Sequence, residues 1–126
     1  MPILFDTSIL VDLLRGSEEA KDLIKKVETG ELSGIISSMT EAELMSGEEC
    51  RNRQRKRVVE KTISLFSKID VDNEIAEKAG EFRRDYGTPL VDSIIAATAF
   101  FRKAKVWTRD LEHFKKIRVI EAGEPY

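Results

Sequence analysis

The sequence contains little cysteine, histidine or proline. Its 126 residues include one Cys, Cys50, one His, His113, and three Pro. A single Cys cannot form an internal disulfide, and the chain has no set of Cys and His residues that could hold a structural zinc ion. Disulfide-stapled folds and zinc-finger folds are therefore excluded, and a reducing compartment such as the cytoplasm is expected.

Long hydrophobic runs are also absent. No apolar stretch approaches the ~20 residues that are needed to cross a bilayer. The apolar start of the chain, Met1 to Phe5, is interrupted by Asp6 and has no basic segment before it. These features predict neither a membrane span nor a secretory signal, so we expect a protein that stays in the cytoplasm.

No charge of one sign dominates the chain. With its His neutral, 21 basic and 23 acidic residues give a formal net charge of −2. The overall charge therefore does not predict binding to nucleic acid. Affinity for phosphate groups would have to come from a local basic segment or from a metal ion.

What the sequence does contain is short apolar runs that alternate with longer stretches of helical periodicity. This alternation predicts strands that are joined by crossover helices. We expect a single domain over residues 1–126, a three-layer α/β/α fold with a mostly parallel central sheet of four to five strands. The predicted strands are 3–5, 34–37, 69–71, 105–108 and 118–120, and the predicted helices are about 9–16, 17–30, 40–46, 51–66, 75–87, 89–101 and 111–116.

Three acidic residues, Asp6, Glu43 and Asp110, lie at or shortly after the carboxyl ends of predicted strands. Because these ends share one edge of a parallel sheet, where ligands bind, the three side chains are predicted to converge. Each also has a local explanation. Asp6 and Asp110 occupy positions where an N-cap is worth ~1 kcal/mol, and Thr40 with Glu43 fits a capping box. Glu41 fits a similar pattern and is the alternative to Glu43.

Asp92 is harder to explain by local structure. It shares a predicted helix face with the apolar residues Ile95 and Ala99. A carboxylate on such a face is costly unless it is neutralised, paired or bound to a metal ion. Two explanations stay open, a ligand role and a buried ion pair with Arg83 or Arg84.

Four segments together resemble the motifs of a known family. The segments are Asp6-Thr7-Ser8, Thr40-x-x-Glu43-Leu44, Asp92-x-x-Ile95-Ala96-Ala97-Thr98-Ala99 and Thr108-Arg109-Asp110-x-x-x-Phe114. From Ile3 to about Ile120 the chain resembles the PIN domain, in its small VapC-type toxin subgroup. Each motif alone is weakly specific, whereas four in the same order and spacing form a specific signal.

The resemblance implies a Mg²⁺- or Mn²⁺-dependent endoribonuclease, which forms a homodimer and is held inactive by a cognate antitoxin. It implies an acidic tetrad with two hydroxyl residues beside it: Asp6, Glu43, Asp92 and Asp110, with Ser8 and Thr108. The segment before the third acid, residues 89–91, lacks the additional acid or small polar residue that many relatives carry. Glu112 is the weak candidate for a fifth ligand.

Four neighbouring carboxylates need cations. A pair that is 4 Å apart repels by ~4 kcal/mol at an effective dielectric constant of 20, so without metal at least one is expected to be protonated. Carboxylate oxygens suit Mg²⁺ or Mn²⁺ rather than zinc or copper. We expect in-line attack on the RNA phosphodiester by a water that the ion activates, which leaves a 3′-hydroxyl and a 5′-phosphate.

Each acid has an expected role in this scheme. Asp6 and Asp92 are expected to bind the ion directly, Asp110 to bind a second ion or its waters, and Glu43 to orient or deprotonate water. The two hydroxyl residues are expected to hold carboxylates or phosphate by hydrogen bonds. His113 is expected to be solvated or to support a ligand rather than to act as a base.

One segment carries a strong local charge. Its six cations are Arg51, Arg53, Arg55, Lys56, Arg57 and Lys61, with one acid among them. Three explanations stay open: a solvated helix face, binding of RNA phosphates through Arg53 and Arg57, or binding of the antitoxin. Arg15 is a further weak candidate for phosphate binding.

Two other functions compete with the nuclease. The first is a catalytically silent PIN-like module that binds RNA or protein. The second is a phospho-acceptor signalling domain, which also presents acids at the carboxyl edge of a sheet. The second fits less well, because Asp6 has no acidic neighbour and Asp92 lies within a helix pattern.

Overall fold

The fold is built on a five-stranded parallel sheet. The computed structural model describes residues 1–126. The strands are β1 (Ile3–Phe5), β2 (Gly34–Ser37), β3 (Ser67–Ile69), β4 (Lys105–Trp107) and β5 (Glu121–Gly123). Their order is β3-β2-β1-β4-β5, and every neighbouring pair is parallel. The predicted α/β class and strand number are confirmed.

Seven α-helices connect the strands. They are α1 (Thr7–Leu14), α2 (Glu18–Glu28), α3 (Ser38–Met45), α4 (Arg53–Ile63), α5 (Asn73–Tyr86), α6 (Leu90–Arg102) and α7 (Leu111–Lys115), and a 3₁₀ turn at Glu48–Arg51 precedes α4. Each α-helix corresponds to one that the periodicity predicts. None of them is long and apolar enough to span a lipid bilayer.

The alternation of side chains along the strands divides the core between the two faces of the sheet. In β1, Leu4 packs into a cluster with residues of α5 and α6, whereas Ile3 and Phe5 pack into a second cluster with residues of α1, α2 and α4. Phe5 contacts Trp107 edge-on, with ring centroids 5.5 Å apart. The sheet is therefore covered by helices on both sides, and Trp107 packs against the core.

Two strands lie elsewhere than predicted. The third was expected at 69–71 and lies at Ser67–Ile69, because Ile69 pairs with Ser37 at the end of β2. The fifth was expected at 118–120 and lies at Glu121–Gly123, because residues 118–120 form a turn. Both are edge strands with little apolar character, so the hydrophobic runs nearby were misleading signals.

Two helix starts also differ from prediction. The N-cap of α3 is Ser37, whose Oγ accepts from the Met39 amide at 3.0 Å, so Thr40 lies within the helix and the capping box with Glu43 is wrong. The helix expected to begin at residue 89 begins at Leu90, and Pro89 is its N-cap. The buried Thr88 hydroxyl lies 2.6 Å from the hydroxyl of Ser93.

The strand order creates a crevice next to β1. From β1 the chain first adds strands on one side, β2 and then β3, and afterwards crosses to the other side to add β4 and β5. The boundary between β1 and β4 is therefore the topological switch point. In open parallel sheets, ligands bind outside the carboxyl ends of the strands at this point.

Candidate metal-binding site at the switch point

Two of the predicted acids lie at this switch point. Asp6 follows β1 and Asp110 follows β4, and the two strands pair through Phe5 and Trp107. The Asp6 amide also donates to the Trp107 carbonyl oxygen at 2.9 Å. Parallel pairing therefore brings the two loops to the same edge of the sheet, as the sequence predicts.

The Asp6 carboxylate is buried and held by two hydroxyl groups. Its residue is 4% exposed, and its Oδ2 accepts from Thr108 Oγ1 at 2.8 Å and from Ser8 Oγ at 2.9 Å. Burial raises the pKa of Asp6 above its ordinary value; these hydrogen bonds oppose the shift, and the charge of Asp110 adds to it. Ser8 and Thr108 thus occupy the supporting positions expected for them.

Neither Asp6 nor Asp110 acts as a side-chain helix cap. Both stand at N-cap positions, of α1 and α7, yet neither carboxylate accepts a capping hydrogen bond. The Asp110 amide instead donates to Thr108 Oγ1 at 2.8 Å, which ties this loop to the hydroxyl that holds Asp6. The local capping explanation is therefore wrong for both residues.

Glu43 is joined to the start of α1. The Thr7 hydroxyl donates to Glu43 Oε1 at 2.5 Å and also lies 2.9 Å from Thr40 Oγ1. Thr7 directly follows Asp6, so this contact connects the Glu43 carboxylate on α3 to the acidic pocket, the group formed by Asp6, Asp92 and Asp110. Glu41 is engaged elsewhere, because both its oxygens accept from Lys68 Nζ at 2.8 Å.

Asp92 contacts a histidine rather than an arginine. Its Oδ2 lies 2.6 Å from His113 Nδ1, and its side chain is 18% exposed. Arg83 donates to the Thr88 carbonyl oxygen and Arg84 pairs with Asp85, so the buried Asp–Arg pair is wrong. The Asp92 side chain belongs to the first turn of α6, where the helix dipole favours negative charge.

Three of the carboxylates influence one another. Burial raises the pKa of Asp92, the charges of Asp6 and Asp110 raise it further, and the hydrogen bond from His113 opposes the shift. No group of three or more Asp, Glu, His or Cys side chains is placed so that it could hold a metal ion by itself. These donors fit a hard cation such as Mg²⁺, which uses one or two carboxylates and completes its coordination with water and substrate phosphate.

The weaker candidates lie around this site. Arg15 lines a groove of about 670 Å³ next to Glu43, between α1, α3 and α4. Arg53 and Arg57 are exposed on α4, outside the residues that line this groove, and take part in no salt bridge. Glu112 is exposed on α7, beside His113, and makes no hydrogen bond through its side chain.

The sequence did not reveal several residues that support the site. Thr7 was noted only as part of a motif, and the specific pairing of His113 with Asp92 was not expected. Three further residues, Asp12, Arg109 and Tyr126, contact one another and are here called the terminal clamp. The Tyr126 hydroxyl donates to Asp12 Oδ2 at 2.6 Å, and the Arg109 guanidinium lies 4.6 Å from the centre of the Tyr126 ring. These contacts join distant segments, so no local pattern signals them.

The fold and the site together define a class of small, all-parallel α/β proteins with a carboxylate pocket at the switch point of the sheet. The model of the PIN domain family matches residues 3–120, and the chain belongs to this family. The resemblance to the PIN domain is thereby confirmed.

Individual relatives cover nearly the whole chain. Ribonuclease VapC2 of Methanocaldococcus jannaschii is 28% identical, over 97% of this chain and 93% of its own. A toxin-antitoxin complex from Klebsiella pneumoniae contains a chain that is 32% identical, with a TM-score of 0.81 and 98% of each chain covered. DNA-bound VapBC from Salmonella typhimurium is similar in fold, with a TM-score of 0.86 and 24% identity over 100% of this chain and 99% of its own.

Proposed function

We propose that the chain is a metal-dependent endoribonuclease and the toxin of a toxin-antitoxin pair, and that residues 1–126 act as one nuclease domain in the cytoplasm. The buried Asp6 carboxylate carries this proposal, because its site next to Asp92 and Asp110 is costly unless a cation compensates it. The relatedness to a VapC ribonuclease supports the choice of RNA as the substrate.

Mg²⁺ or Mn²⁺ is the proposed cofactor. Asp6 and Asp92 would bind the ion directly, and Asp110 would bind a second ion or its waters. The bound ion supplies a lowered pKa for a coordinated water and neutralises negative charge that develops on the phosphate. These carboxylates offer only oxygen atoms as ligands, and hard cations prefer oxygen ligands.

The surrounding side chains position the acids. Ser8 and Thr108 hold one oxygen of Asp6, and Thr7 holds one oxygen of Glu43. Glu43 Oε2 accepts no hydrogen bond from another side chain, so we assign it the orientation or deprotonation of the attacking water. His113 donates from Nδ1 to Asp92, because an ionised carboxylate can only accept.

The groove beside Glu43 is the proposed site for the antitoxin. Its lining combines apolar residues such as Leu14 and Val58 with the charged residues Arg15, Glu49 and Arg55. An amphipathic segment with both charges fits such a surface. Since Glu43 borders the groove, a bound segment would lie next to the acidic pocket and obstruct RNA. The relation to a chain from a toxin-antitoxin complex supports this partner.

A homodimer is proposed on the basis of the family resemblance. Light scattering on the purified chain tests it, because a dimer has twice the mass of 14.3 kDa. A single mass of one chain across the micromolar range would contradict it.

The experiment that tests the nuclease uses Asp6→Asn and Asp92→Asn, with Asp22→Asn on the exposed surface of α2 as the matched control. Both pocket variants are expected to lose Mn²⁺-dependent RNA cleavage by roughly two orders of magnitude or more, while circular dichroism stays unchanged. Retained cleavage in folded pocket variants would contradict the assignment. Metal-dependent RNA binding without cleavage by the unmodified chain would favour the silent module instead.

A further inference from the structure

A second concave surface lies between the end of α5 and α7. It is an open cleft of about 720 Å³, here called the α7 cleft, and it is lined by Tyr86, Glu112, Lys115, Lys116 and Arg118. Its volume is within the range of ordinary ligand sites, about 300–1,000 Å³. Glu112 is the weak candidate for a fifth ligand. The other four residues take no part in the proposed nuclease chemistry.

The α7 cleft is positively charged and its cations are unpaired. It contains three cations and one carboxylate. Lys115, Lys116 and Arg118 take part in none of the seven salt bridges. Helix-end lysines complement the helix dipole, but Arg118 lies beyond α7 and has no such explanation. These groups are therefore available to bind an anion.

The cleft adjoins the acidic pocket. Its lysines lie at the end of α7, whose first turn follows Asp110 and whose His113 contacts Asp92. Lys115 is five residues after Asp110, and a helical rise of 1.5 Å per residue places it about 8 Å further along the axis. A polymeric substrate that crosses the pocket can therefore extend into the cleft.

The cleft also contains an aromatic ring. Tyr86 is half-buried at the end of α5, and its ring centroid lies 6.0 Å from that of Phe82, which supports it from within the protein. Basic side chains that follow a phosphate backbone, together with an aromatic ring on which a base stacks, are the features by which proteins bind single-stranded RNA.

We propose that the α7 cleft binds the nucleotides that flank the cleaved bond in single-stranded RNA. Lys115, Lys116 and Arg118 contact phosphates, and Tyr86 stacks on a base. This assignment rests on the proposed ribonuclease function and adds a substrate-binding surface to it. It makes single-stranded segments the substrate, since a base within a duplex is not free to stack on the protein.

The first measurement uses the full-length protein and a fluorescent single-stranded oligoribonucleotide of mixed sequence, with EDTA present so that no cleavage occurs. Anisotropy gives the affinity over a series of salt concentrations for Lys115→Gln with Lys116→Gln. The matched control is Lys25→Gln with Lys26→Gln, an exposed lysine pair in the last turn of α2 that also forms no salt bridge. This control variant removes the same number of positive charges, and it also removes lysines that interact with the C-terminal end of a helix.

The cleft pair is expected to weaken binding at least tenfold and to flatten the plot of log affinity against log salt by roughly 0.7 for each lost phosphate contact. The control pair should change little. Tyr86→Leu is expected to weaken binding about tenfold, the size of loss when one base loses its aromatic partner, without changing the salt slope. Tyr86→Phe keeps the ring and should bind like the unmodified chain.

Kinetics with Mn²⁺ provide the second measurement. The cleft pair should raise KM and leave kcat close to its original value, because these residues bind substrate without touching the acids. Equal behaviour of the cleft pair and the control pair would overturn the inference, while loss of cleavage in Asp92→Asn would still support the nuclease. An unmodified chain that neither binds nor cleaves RNA would overturn both. If the cleft pair lost antitoxin binding and kept its RNA affinity, the cleft would be a protein-binding surface, and the inference would also be overturned.

Discussion

Asp6 is the residue at which stability and the proposed activity conflict. Its carboxylate is almost completely buried and accepts hydrogen bonds only from neutral groups, with no basic side chain as a partner. A buried ion without a counter-charge disfavours the folded state. A site of this kind is expected where binding of a cation supplies the missing charge.

Asp6→Asn is therefore expected to leave the thermal stability of the metal-free protein unchanged or to raise it. Burial raises the pKa of Asp6 in the folded chain above 3.8. The stability that this shift contributes is fully present below pH 3.8, where the carboxyl is protonated, and is lost as pH rises through the raised pKa. The difference in Tm between variant and unmodified chain should consequently grow from pH 4 to pH 7, measured in EDTA.

Asp22→Asn controls for the removal of one surface charge and should show no such trend, since that residue is exposed on α2. Excess Mn²⁺ should raise the Tm of the unmodified chain and not that of Asp6→Asn. If Asp6→Asn had a lower Tm than the unmodified chain at pH 7 in EDTA, the Asp6 carboxylate would not destabilise the metal-free protein, and this prediction would be wrong.

His113 contacts the proposed metal ligand Asp92. Its Nδ1 lies 2.6 Å from the carboxylate, and 42% of its side chain is exposed. His113→Ala is expected to lower the apparent affinity for Mn²⁺ by about 10- to 100-fold, because removal of a residue that orients a metal ligand has an effect of this size. Cleavage rates measured over a Mn²⁺ titration test this.

A positioning role predicts that cleavage activity recovers when the Mn²⁺ concentration is raised. At saturating Mn²⁺ most of the activity of His113→Ala should return, which would not happen if the imidazole were the general base. A loss of kcat that persists at saturating metal would therefore contradict the positioning role.

At the scale of elements, hydrophobic periodicity predicted the buried parts of the fold and failed at its edges. The α6 helix was predicted from its nearly continuous apolar face, and residues 93–99 are all buried. The edge strands β3 and β5 were misplaced because hydrogen-bond pairing with a neighbouring strand, rather than burial, decides where they begin. Strand pairing is non-local, so a single sequence carries little information about it.

The start of α3 provides a test of the corrected helix cap. Ser37→Ala removes the hydroxyl that accepts from the Met39 amide, and it is expected to lower the free energy of unfolding by about 1 kcal/mol. Urea unfolding, followed by circular dichroism, measures the change.

Ser46→Ala, at the other end of the same helix, is the matched control. Its exposed hydroxyl only donates to the Glu43 carbonyl oxygen, and this variant should lose less than half as much stability. If Ser37→Ala proved as stable as the unmodified chain, Ser37 would not be the energetically important cap.

At the scale of the whole molecule, the approach of the Asp6 and Asp110 loops could be predicted because parallel topology places strand ends together. The identity of their neighbours could not. Thr7 and Glu43, or Asp92 and His113, meet only because helices from distant parts of the chain pack side by side. The sequence pattern specifies which faces are buried, and it leaves open which polar residues come into contact across them.

The terminal clamp is a further long-range contact with a measurable pH dependence. Burial and the hydrogen bond to Asp12 raise the pKa of Tyr126 from 10.0 to about 12. Its contribution to stability is therefore present below pH 10 and is lost as pH rises towards 12. Tyr126→Phe is expected to lower the free energy of unfolding by about 1 kcal/mol at pH 8, measured by urea unfolding with Trp107 fluorescence.

The difference between Tyr126→Phe and the unmodified chain should shrink above pH 10, because the unmodified chain alone loses the neutral hydroxyl. Tyr86→Phe is the control, since the Tyr86 hydroxyl makes no hydrogen bond. A constant difference from pH 8 to pH 11 would contradict the assignment of this pKa to the clamp.

One of the two hydroxyls that donate to Asp6, that of Thr108, belongs to a residue 102 positions further along the chain. A polypeptide still emerging from the ribosome has made its first strand long before β4 exists to complete the pocket. A partly synthesised chain that lacks β4 and Thr108 therefore has no complete pocket.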